Sequence, residues 1–133
     1  MSADVAYLDT SAVVKLLVRE PESLVLRRAL RQWPRRASSA LLRVELLRVT
    51  KRTGQTRLTA QAHRQLRAIH LVRLDDRVLN RAAGLDPPTL RSLDALHLAT
   101  ALELGGDLGV IITYDERMVQ GAAALGLTTT SPR

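Results

Sequence analysis

The sequence predicts an α/β fold in which a central parallel β-sheet carries helices on both faces. Short apolar runs alternate with longer segments of helical periodicity, and helices outnumber strands, a pattern typical of parallel sheets. The two clearest strands are Val5–Leu8 and Gly109–Thr113, whose largely apolar character indicates burial on both faces of the sheet. The chain has 133 residues, the size of one domain, and we therefore expect a single domain over 1–133.

Capping and breaking residues set the elements of the first half of the chain. Asp9 follows the first strand as a helix cap, Pro34 breaks the second helix, and Gly54 ends the third. In chain order, the predicted elements are a strand at Val5–Leu8, helices at Ala12–Arg19 and from Pro21 to about Trp33, a short strand at Arg35–Ser39, a helix capped by Ser39 and running to Arg52, and a helix from Thr59 to about His70.

The second half shows the same alternation of strands and helices. Asp75 and Ser92 are cap residues that each precede a helical segment, whereas Asp86-Pro87-Pro88 is a turn signal. The predicted elements are a strand at Leu71–Leu74, a helix capped by Asp75-Asp76 and ending near Leu85, a helix at Leu93–Leu104, a strand at Gly109–Thr113, a helix at Asp115–Leu125 and a last strand at Leu127–Thr130.

The charge balance indicates a polyanionic partner. Lys and Arg total 20 against 13 Asp and Glu, for a formal net charge of +7, and nucleic acid is the commonest partner of such a basic chain. Only Lys15 and Lys51 are lysines, and the bias towards Arg fits phosphate binding but equally a GC-rich genome. The basic residues are spread along the chain and form no tail. Tyr7, Trp33 and Tyr114 are the only aromatic residues, too few for a base-stacking platform, so contacts to phosphates are expected instead.

The sequence also excludes several classes of protein. It contains no Cys, which rules out disulfide frameworks and Cys-ligated zinc sites. It has no run of about 18 apolar residues, so we expect no membrane-spanning helix. The N-terminal stretch carries Asp4 and no basic residue, which argues against a signal peptide and makes the cytoplasm the expected compartment.

Two acids directly follow buried strands. Asp9 comes after Val5–Leu8, and Asp115 stands in the matching place after Gly109–Thr113. Ligands bind beyond the carboxyl ends of the strands in open parallel sheets, so both side chains should face the same crevice. Alternatively, each Asp does no more than cap the helix that follows it.

Two further acids lie on largely apolar helix faces. Glu45 has Leu41 and Val49 four residues away on either side, and burying its carboxylate is costly unless the group is paired or binds a cation. An ion pair with Arg48 is the alternative. Asp94 lies in the first turn of its helix, where an acid also complements the helix dipole.

Four carboxylates gathered at one crevice would repel one another unless a cation lay between them. Oxygen ligands select a hard ion such as Mg²⁺ or Mn²⁺. Such an ion lowers the pKa of a bound water and neutralises charge on a phosphate. An acidic centre within a basic protein therefore suits hydrolysis of a nucleic-acid phosphodiester, because the positive surface gathers the substrate backbone.

Four motifs, each containing one of these acids, together span most of the chain. They are Tyr7–Leu16 (YLDTSAVVKL), Ser38–Leu46 (SSALLRVEL), Leu90–Ala101 (LRSLDALHLATA) and Thr113–Asp115 (TYD). In content and order they resemble the motifs of PIN-domain ribonucleases, and in particular of the VapC-type toxins. The agreement of all four motifs in one short chain makes this resemblance specific.

The resemblance implies a PIN-like three-layer sandwich and a catalytic metal site for Mg²⁺ or Mn²⁺. The acidic metal-site positions of the family fall on Asp9, Glu45, Asp94 and Asp115. Asp9 and Asp94 would be direct ligands, whereas the other two acids would act through water or on a second ion. Ser11 and Thr113 match hydroxyl positions that support the site in relatives.

The resemblance also implies a reaction and partners. The chain would be a metal-dependent endoribonuclease, the toxin of a type II toxin–antitoxin pair, whose activated water attacks RNA to leave a 5′-phosphate and a 3′-hydroxyl. A cognate VapB-like antitoxin would cover the crevice. A homodimer is expected, and Ala12–Trp33 and Leu41–Val49 offer apolar surface for it.

Two other function classes stay open. An aspartate-nucleophile phosphatase also has an Asp at a strand end, but it needs a second Asp where this chain has Ser11. A non-catalytic basic α/β module that binds nucleic acid or a partner would need no divalent ion. His63, His70 and His97 are not needed as bases, and for His97 a packing role is favoured over a ligand role.

Overall fold

The computed structural model describes residues 2–133 and places five strands in one sheet. The strands are β1 (Val5–Leu8), β2 (Arg35–Ser39), β3 (His70–Val72), β4 (Leu108–Ile112) and β5 (Thr129–Thr130). Their order across the sheet is β3-β2-β1-β4-β5, and every neighbouring pair is parallel. The predicted parallel sheet is confirmed, with β1 at its centre.

Seven helices of the described residues pack on the two faces of this sheet. They are α1 (Thr10–Leu17), α2 (Ser23–Leu30), α3 (Leu41–Thr53), α4 (Thr56–Ala68), α5 (Asp76–Ala83), α6 (Ser92–Glu103) and α7 (Glu116–Ala124). Over residues 2–133, no helix combines the length and the apolar character that crossing a membrane requires.

The alternation of side chains along β1 explains the layers. Ala6 and Leu8 are buried on the face that α1–α4 cover, whereas Tyr7 packs on the opposite face against α6 and α7. Ile112 and Ile111 of β4 repeat this alternation. Because both faces of the sheet are covered, β1 and β4 carry no charged side chain, and the predicted three-layer arrangement is confirmed.

Aspartates turn the chain from strand or loop into helix at three points. The carboxylates of Asp9, Asp75 and Asp115 accept backbone N–H groups in the first turns of α1, α5 and α7 at 3.0–3.1 Å. Asp9 and Asp115 therefore do cap the helices that follow them. Capping is not the only role open to them, because both side chains also line the cavity at the carboxyl edge of the sheet.

Several predicted boundaries differ from the structure. The second helix begins at Ser23 instead of Pro21 because the Ser23 Oγ accepts the N–H of Glu20 at 2.9 Å in a turn that precedes the helix. The fourth helix begins at Thr56, three residues before the predicted start. The third strand covers His70–Val72 and stops short of Leu74, since only these three residues pair with the end of β2.

The two predicted serine caps have different outcomes. The Ser39 Oγ accepts the N–H of Leu41, the first residue of α3, at 3.0 Å, although Ala40 occupies the N-cap position itself. Ser92 is the first residue of α6 and not its cap, and Arg91 at the N-cap makes no side-chain hydrogen bond to the helix. Helix α6 thus begins beside the cavity without a side-chain cap.

Candidate active site

The carboxyl edge of the sheet opens into a cavity of about 360 Å³ between α1, α3, α6 and α7. Asp9 reaches it from the end of β1, and Asp115 from the loop after β4. Glu45 and Asp94 reach it from α3 and α6. The structure therefore brings together all four acids that the sequence singled out.

Asp9 is the most tightly held of these acids and is only 3% exposed. Its Oδ1 accepts the Ser11 hydroxyl at 2.6 Å and the Ala12 N–H at 3.1 Å, and its Oδ2 accepts the Thr113 hydroxyl at 2.6 Å. Burial raises the pKa of Asp9, and the two hydroxyl donors offset only part of that shift. Ser11 and Thr113 thus orient both carboxylate oxygens.

The same two hydroxyls join the ends of β1 and β4. The Ser11 Oγ accepts the N–H of Tyr114 at 2.9 Å, and the Thr113 Oγ1 accepts the N–H of Asp115 at 3.1 Å. The two hydroxyl oxygens are 3.3 Å apart. This network fixes the backbone of Asp115 relative to Asp9, although the residues are far apart in sequence.

Glu45 is held through one of its two carboxylate oxygens. Its Oε1 accepts the Thr10 hydroxyl at 2.6 Å and lies 2.8 Å from Nε2 of His97, whereas its Oε2 has no donor among residues 2–133. Burial alone would raise the pKa of Glu45, but the hydrogen bonds from His97 and Thr10 lower it below its ordinary value. The alternative of an ion pair with Arg48 is wrong, because Glu45 turns inward to His97 while Arg48 is exposed.

His97 is a site residue that the sequence analysis assigned to packing. It is 3% exposed, and its Nδ1 lies 2.7 Å from the Tyr7 hydroxyl. Burial raises the pKa of Tyr7, so the hydroxyl stays protonated and donates to Nδ1, which leaves the Nε2–H to donate to Glu45. One signal could have found His97: it follows Asp94 by three residues and shares its helix face. No comparable signal indicated the contact with Tyr7.

Asp94 and Asp115 are held much more loosely than the other two acids. Within residues 2–133, the Asp94 carboxylate accepts no hydrogen bond, and Asp115 accepts only the Arg117 N–H, at 3.0 Å. Burial raises the pKa of Asp94, the neighbouring Asp115 raises it further, and Arg117 offsets part of this shift. The Asp115 Oδ1 also lies 3.7 Å from Nε of Arg117.

Two arginines line the cavity beside the loosely held acids. Arg91 stands at the start of α6 and Arg117 in the first turn of α7. Both also line an adjoining cavity of about 160 Å³, to which Asp94 contributes as well. Because Arg binds phosphate through paired N–H donors, cations beside carboxylates suit a substrate that is itself anionic.

The donor set fits a hard divalent cation in its chemistry. The four acids offer oxygen ligands, and both the Asp94 carboxylate and the Glu45 Oε2 are without donors. As the side chains stand, no three His, Cys, Asp or Glu residues of the range 2–133 are grouped closely enough to hold a metal ion. Holding an ion would require some of these side chains to move closer together.

Comparison with known proteins identifies the family. The PIN domain model matches residues 6–124. Ribonuclease VapC46 of Mycobacterium tuberculosis is 52% identical over 126 residues, which cover 95% of this chain and 96% of the relative. Ribonuclease VapC47 of the same species is 42% identical over 130 residues with the same coverage.

A solved structure shows the same fold. A chain of a toxin-antitoxin complex from Klebsiella pneumoniae superimposes with a TM-score of 0.72 at 23% identity, covering 96% of this chain and 98% of that chain. The predicted PIN-like sandwich is thus confirmed by sequence and structure together. The chain belongs to the PIN-domain family.

Proposed function

We propose that the chain is a metal-dependent endoribonuclease and the toxin of a type II toxin–antitoxin pair. Two relatives that match nearly its whole length are named ribonucleases, which supports RNA as the substrate class. The observation that carries the proposal is the gathering of Asp9, Glu45, Asp94 and Asp115 in one cavity. A basic exterior around this acidic centre suits a phosphodiester substrate.

Asp9 and Asp94 are proposed as direct ligands of Mg²⁺ or Mn²⁺, with Glu45 and Asp115 acting through water or on a second ion. Asp9 presents a carboxylate whose orientation its hydroxyl partners fix, and Asp94 presents one that is free of hydrogen bonds. A divalent cation bound among them would lower the pKa of a water and neutralise charge on a phosphate oxygen.

Glu45 is placed to orient the attacking water. Its lowered pKa keeps the carboxylate ionised at neutral pH, so the group accepts hydrogen bonds. Thr10 and His97 occupy Oε1 and leave Oε2 to accept a hydrogen bond from a water in the cavity. A water held in this way is directed at the phosphorus by an acceptor that cannot easily rotate.

Arg91 and Arg117 are proposed to bind phosphate oxygens next to the scissile bond. Both line the same cavity as the four acids, and Arg117 is also near Asp115. Paired N–H donors hold a phosphate in a defined orientation, which in-line attack requires.

The proposed partners are RNA, a cognate VapB-like antitoxin and a second copy of this chain, in the cytoplasm. An antitoxin that inserted a basic side chain into the cavity would compensate the unpaired Asp94. Leu24 on α2 is 58% exposed, which supports an apolar dimer contact on this helix. We retain a single nuclease domain over 1–133 as part of the proposal.

Cleavage of RNA by the purified protein tests this function. We expect the wild type to cut in Mg²⁺ and to stop in EDTA, and Asp9→Asn to be inactive. Glu116→Gln is the matched control, because it removes the same charge from an exposed residue that does not line the cavity. Cutting by Asp9→Asn at the wild-type rate, or cutting that EDTA leaves unchanged, would overturn the proposal.

A further inference from the structure

The cations of the chain are concentrated in one segment. Residues 23–74, named here the basic segment, contain 13 of the 20 Lys and Arg residues and a single acid, Glu45. This composition gives the segment a formal charge of +12, whereas the 7 cations and 12 anions elsewhere give −5. The net charge of +7 therefore understates how positive one part of the molecule is.

The cations of the basic segment are exposed and mostly unpaired. All are exposed except the half-buried Arg36. Within residues 2–133, Arg35 alone among them forms a salt bridge, with Asp4 at 2.8 Å. Outside the segment, most cations have carboxylate partners: Lys15, Arg77, Arg81 and Arg117. Unpaired like charges repel one another, so these exposed cations favour a polyanionic partner.

Helix α3 connects the basic segment to the cavity. Arg48 and Arg52 follow Glu45 by three and seven residues, so the three side chains lie along one face of the helix. Leu42 and Leu46 are fully buried on a neighbouring face of the helix, which packs against the core. At the rise of an α-helix, the row from Glu45 to Arg52 extends about 10 Å away from the cavity.

We propose that Arg48 and Arg52 bind successive phosphates of the RNA strand that enters the cavity. This inference rests on the proposed function. Guanidinium groups pair with phosphate oxygens through two N–H donors. The single aromatic residue of the basic segment, Trp33, packs against the core, so the surface contacts backbone and not stacked bases.

An RNA strand fits this row better than an acidic protein segment does. The row starts at Glu45, which lines the cavity where the scissile phosphate is proposed to bind. A strand with one phosphate among the cavity acids has to continue across the surface, and the α3 row is continuous with the cavity.

RNA binding measured in EDTA, where the proposed chemistry cannot proceed, tests the row. Fluorescence anisotropy with a labelled single-stranded RNA is recorded against salt for the wild type and for Arg48→Ala with Arg52→Ala. We expect binding to weaken and the log–log salt dependence to become about 1.4 less steep, at about 0.7 per phosphate contact on a single strand. In Mg²⁺, KM should rise while kcat stays close to that of the wild type.

Arg77→Ala with Arg81→Ala is the matched control, since it also removes two charges from one face of one helix, α5. An equal loss of RNA binding in both double variants would overturn the row, because only net charge would then matter. Wild-type RNA binding by Arg48→Ala with Arg52→Ala, together with lost binding of a polyglutamate peptide, would overturn it in favour of an acidic protein partner.

The row and the proposed nuclease can fail separately. If the α3 variant alone loses RNA binding but the wild type never cuts RNA in Mg²⁺, the row stands and the nuclease proposal falls. If the wild type cuts RNA and the α3 variant binds and cuts equally well, the nuclease proposal stands and the row falls.

Discussion

The two sides of the acidic cavity are built differently. Asp9 and Glu45 are held by side-chain donors, from Ser11 and Thr113 in one case and from Thr10 and His97 in the other. On the other side, Asp94 and Asp115 accept no side-chain hydrogen bond within residues 2–133, apart from a 3.7 Å approach of Arg117 to Asp115. One pair of carboxylates is fixed before any ligand arrives, and the other pair is free to move.

The contrast suggests a way for the site to bind a cation: the two free carboxylates move and the two fixed ones stay in place. Asp9 and Glu45 are already held in place, whereas Asp94 and Asp115 would move onto the cation. Binding would therefore cost the conformational entropy of two side chains only. Without a ligand, Arg117 compensates the Asp94 charge only in part, since burial and Asp115 both raise its pKa. The predictions below test this contrast in order of decreasing effect.

The largest effect is expected from Asp94→Asn on the mobile side. Loss of this carboxylate should reduce RNA cleavage by about 10³-fold or more, because several kcal/mol of charge stabilisation disappear. In metal-free buffer the same variant should be more stable than the wild type, because the substitution breaks no hydrogen bond and removes a carboxylate charge that burial disfavours. Single-turnover cleavage and urea unfolding measure the two effects, and a variant that is both active and less stable would contradict the contrast.

Mg²⁺ should stabilise the wild type by closing the mobile side. A ligand at one hundred times its dissociation constant adds about 2.7 kcal/mol to the free energy of unfolding. Thermal melts in EDTA and in a series of Mg²⁺ concentrations measure the gain. Glu116→Gln should keep the gain and Asp94→Asn should lose it. A gain of equal size in both variants would assign the effect to the surface and not to the cavity.

A smaller loss is expected when the fixed side is loosened through His97. His97→Leu removes the donor to Glu45 Oε1 and should slow cleavage by about 10- to 100-fold, the usual cost of losing a group that orients a ligand. His97→Gln places an amide donor near the same position and should recover much of the rate. Equal cleavage rates for His97→Leu and His97→Gln would show that His97 has only a packing role.

The smallest effect concerns pH in metal-free buffer. The folded pKa of Asp94 lies above its unfolded value, so between these two values the folded chain binds more protons than the unfolded chain. The stability penalty from Asp94 is therefore present at neutral pH and is relieved as the pH falls through the folded pKa. The stability advantage of Asp94→Asn over the wild type should shrink between pH 7 and about pH 4. An advantage that grows on acidification would contradict the raised pKa.

Much of the fold and the acidic set could be predicted from the sequence because both depend on local pattern. Apolar runs such as Val5–Leu8 specify buried strands, and an acid directly after such a strand has to lie at the carboxyl edge of the sheet. The contact between His97 and Glu45 could not be predicted in this way. It joins residues 52 positions apart and depends on how α3 and α6 lie across the sheet, which no periodicity encodes.

The wrong pairing of Glu45 with Arg48 has the same origin. Spacing of three residues on a helix permits an ion pair, but it does not say what the opposite element offers. Here α6 places the buried imidazole of His97 2.8 Å from the Glu45 carboxylate, which pairs with it instead of with Arg48. Arg48 stays unpaired and exposed on the surface, where it is available to bind a phosphate.

The decisive measurement is a crystal structure grown with Mn²⁺, in which anomalous scattering locates the ion. We expect an ion in the cavity in contact with Asp9 and Asp94, reached by rotation of Asp94 and Asp115, with Thr10 and His97 still bound to Glu45. Crystals without an ion in this cavity, at a Mn²⁺ concentration that supports RNA cleavage in solution, would contradict it.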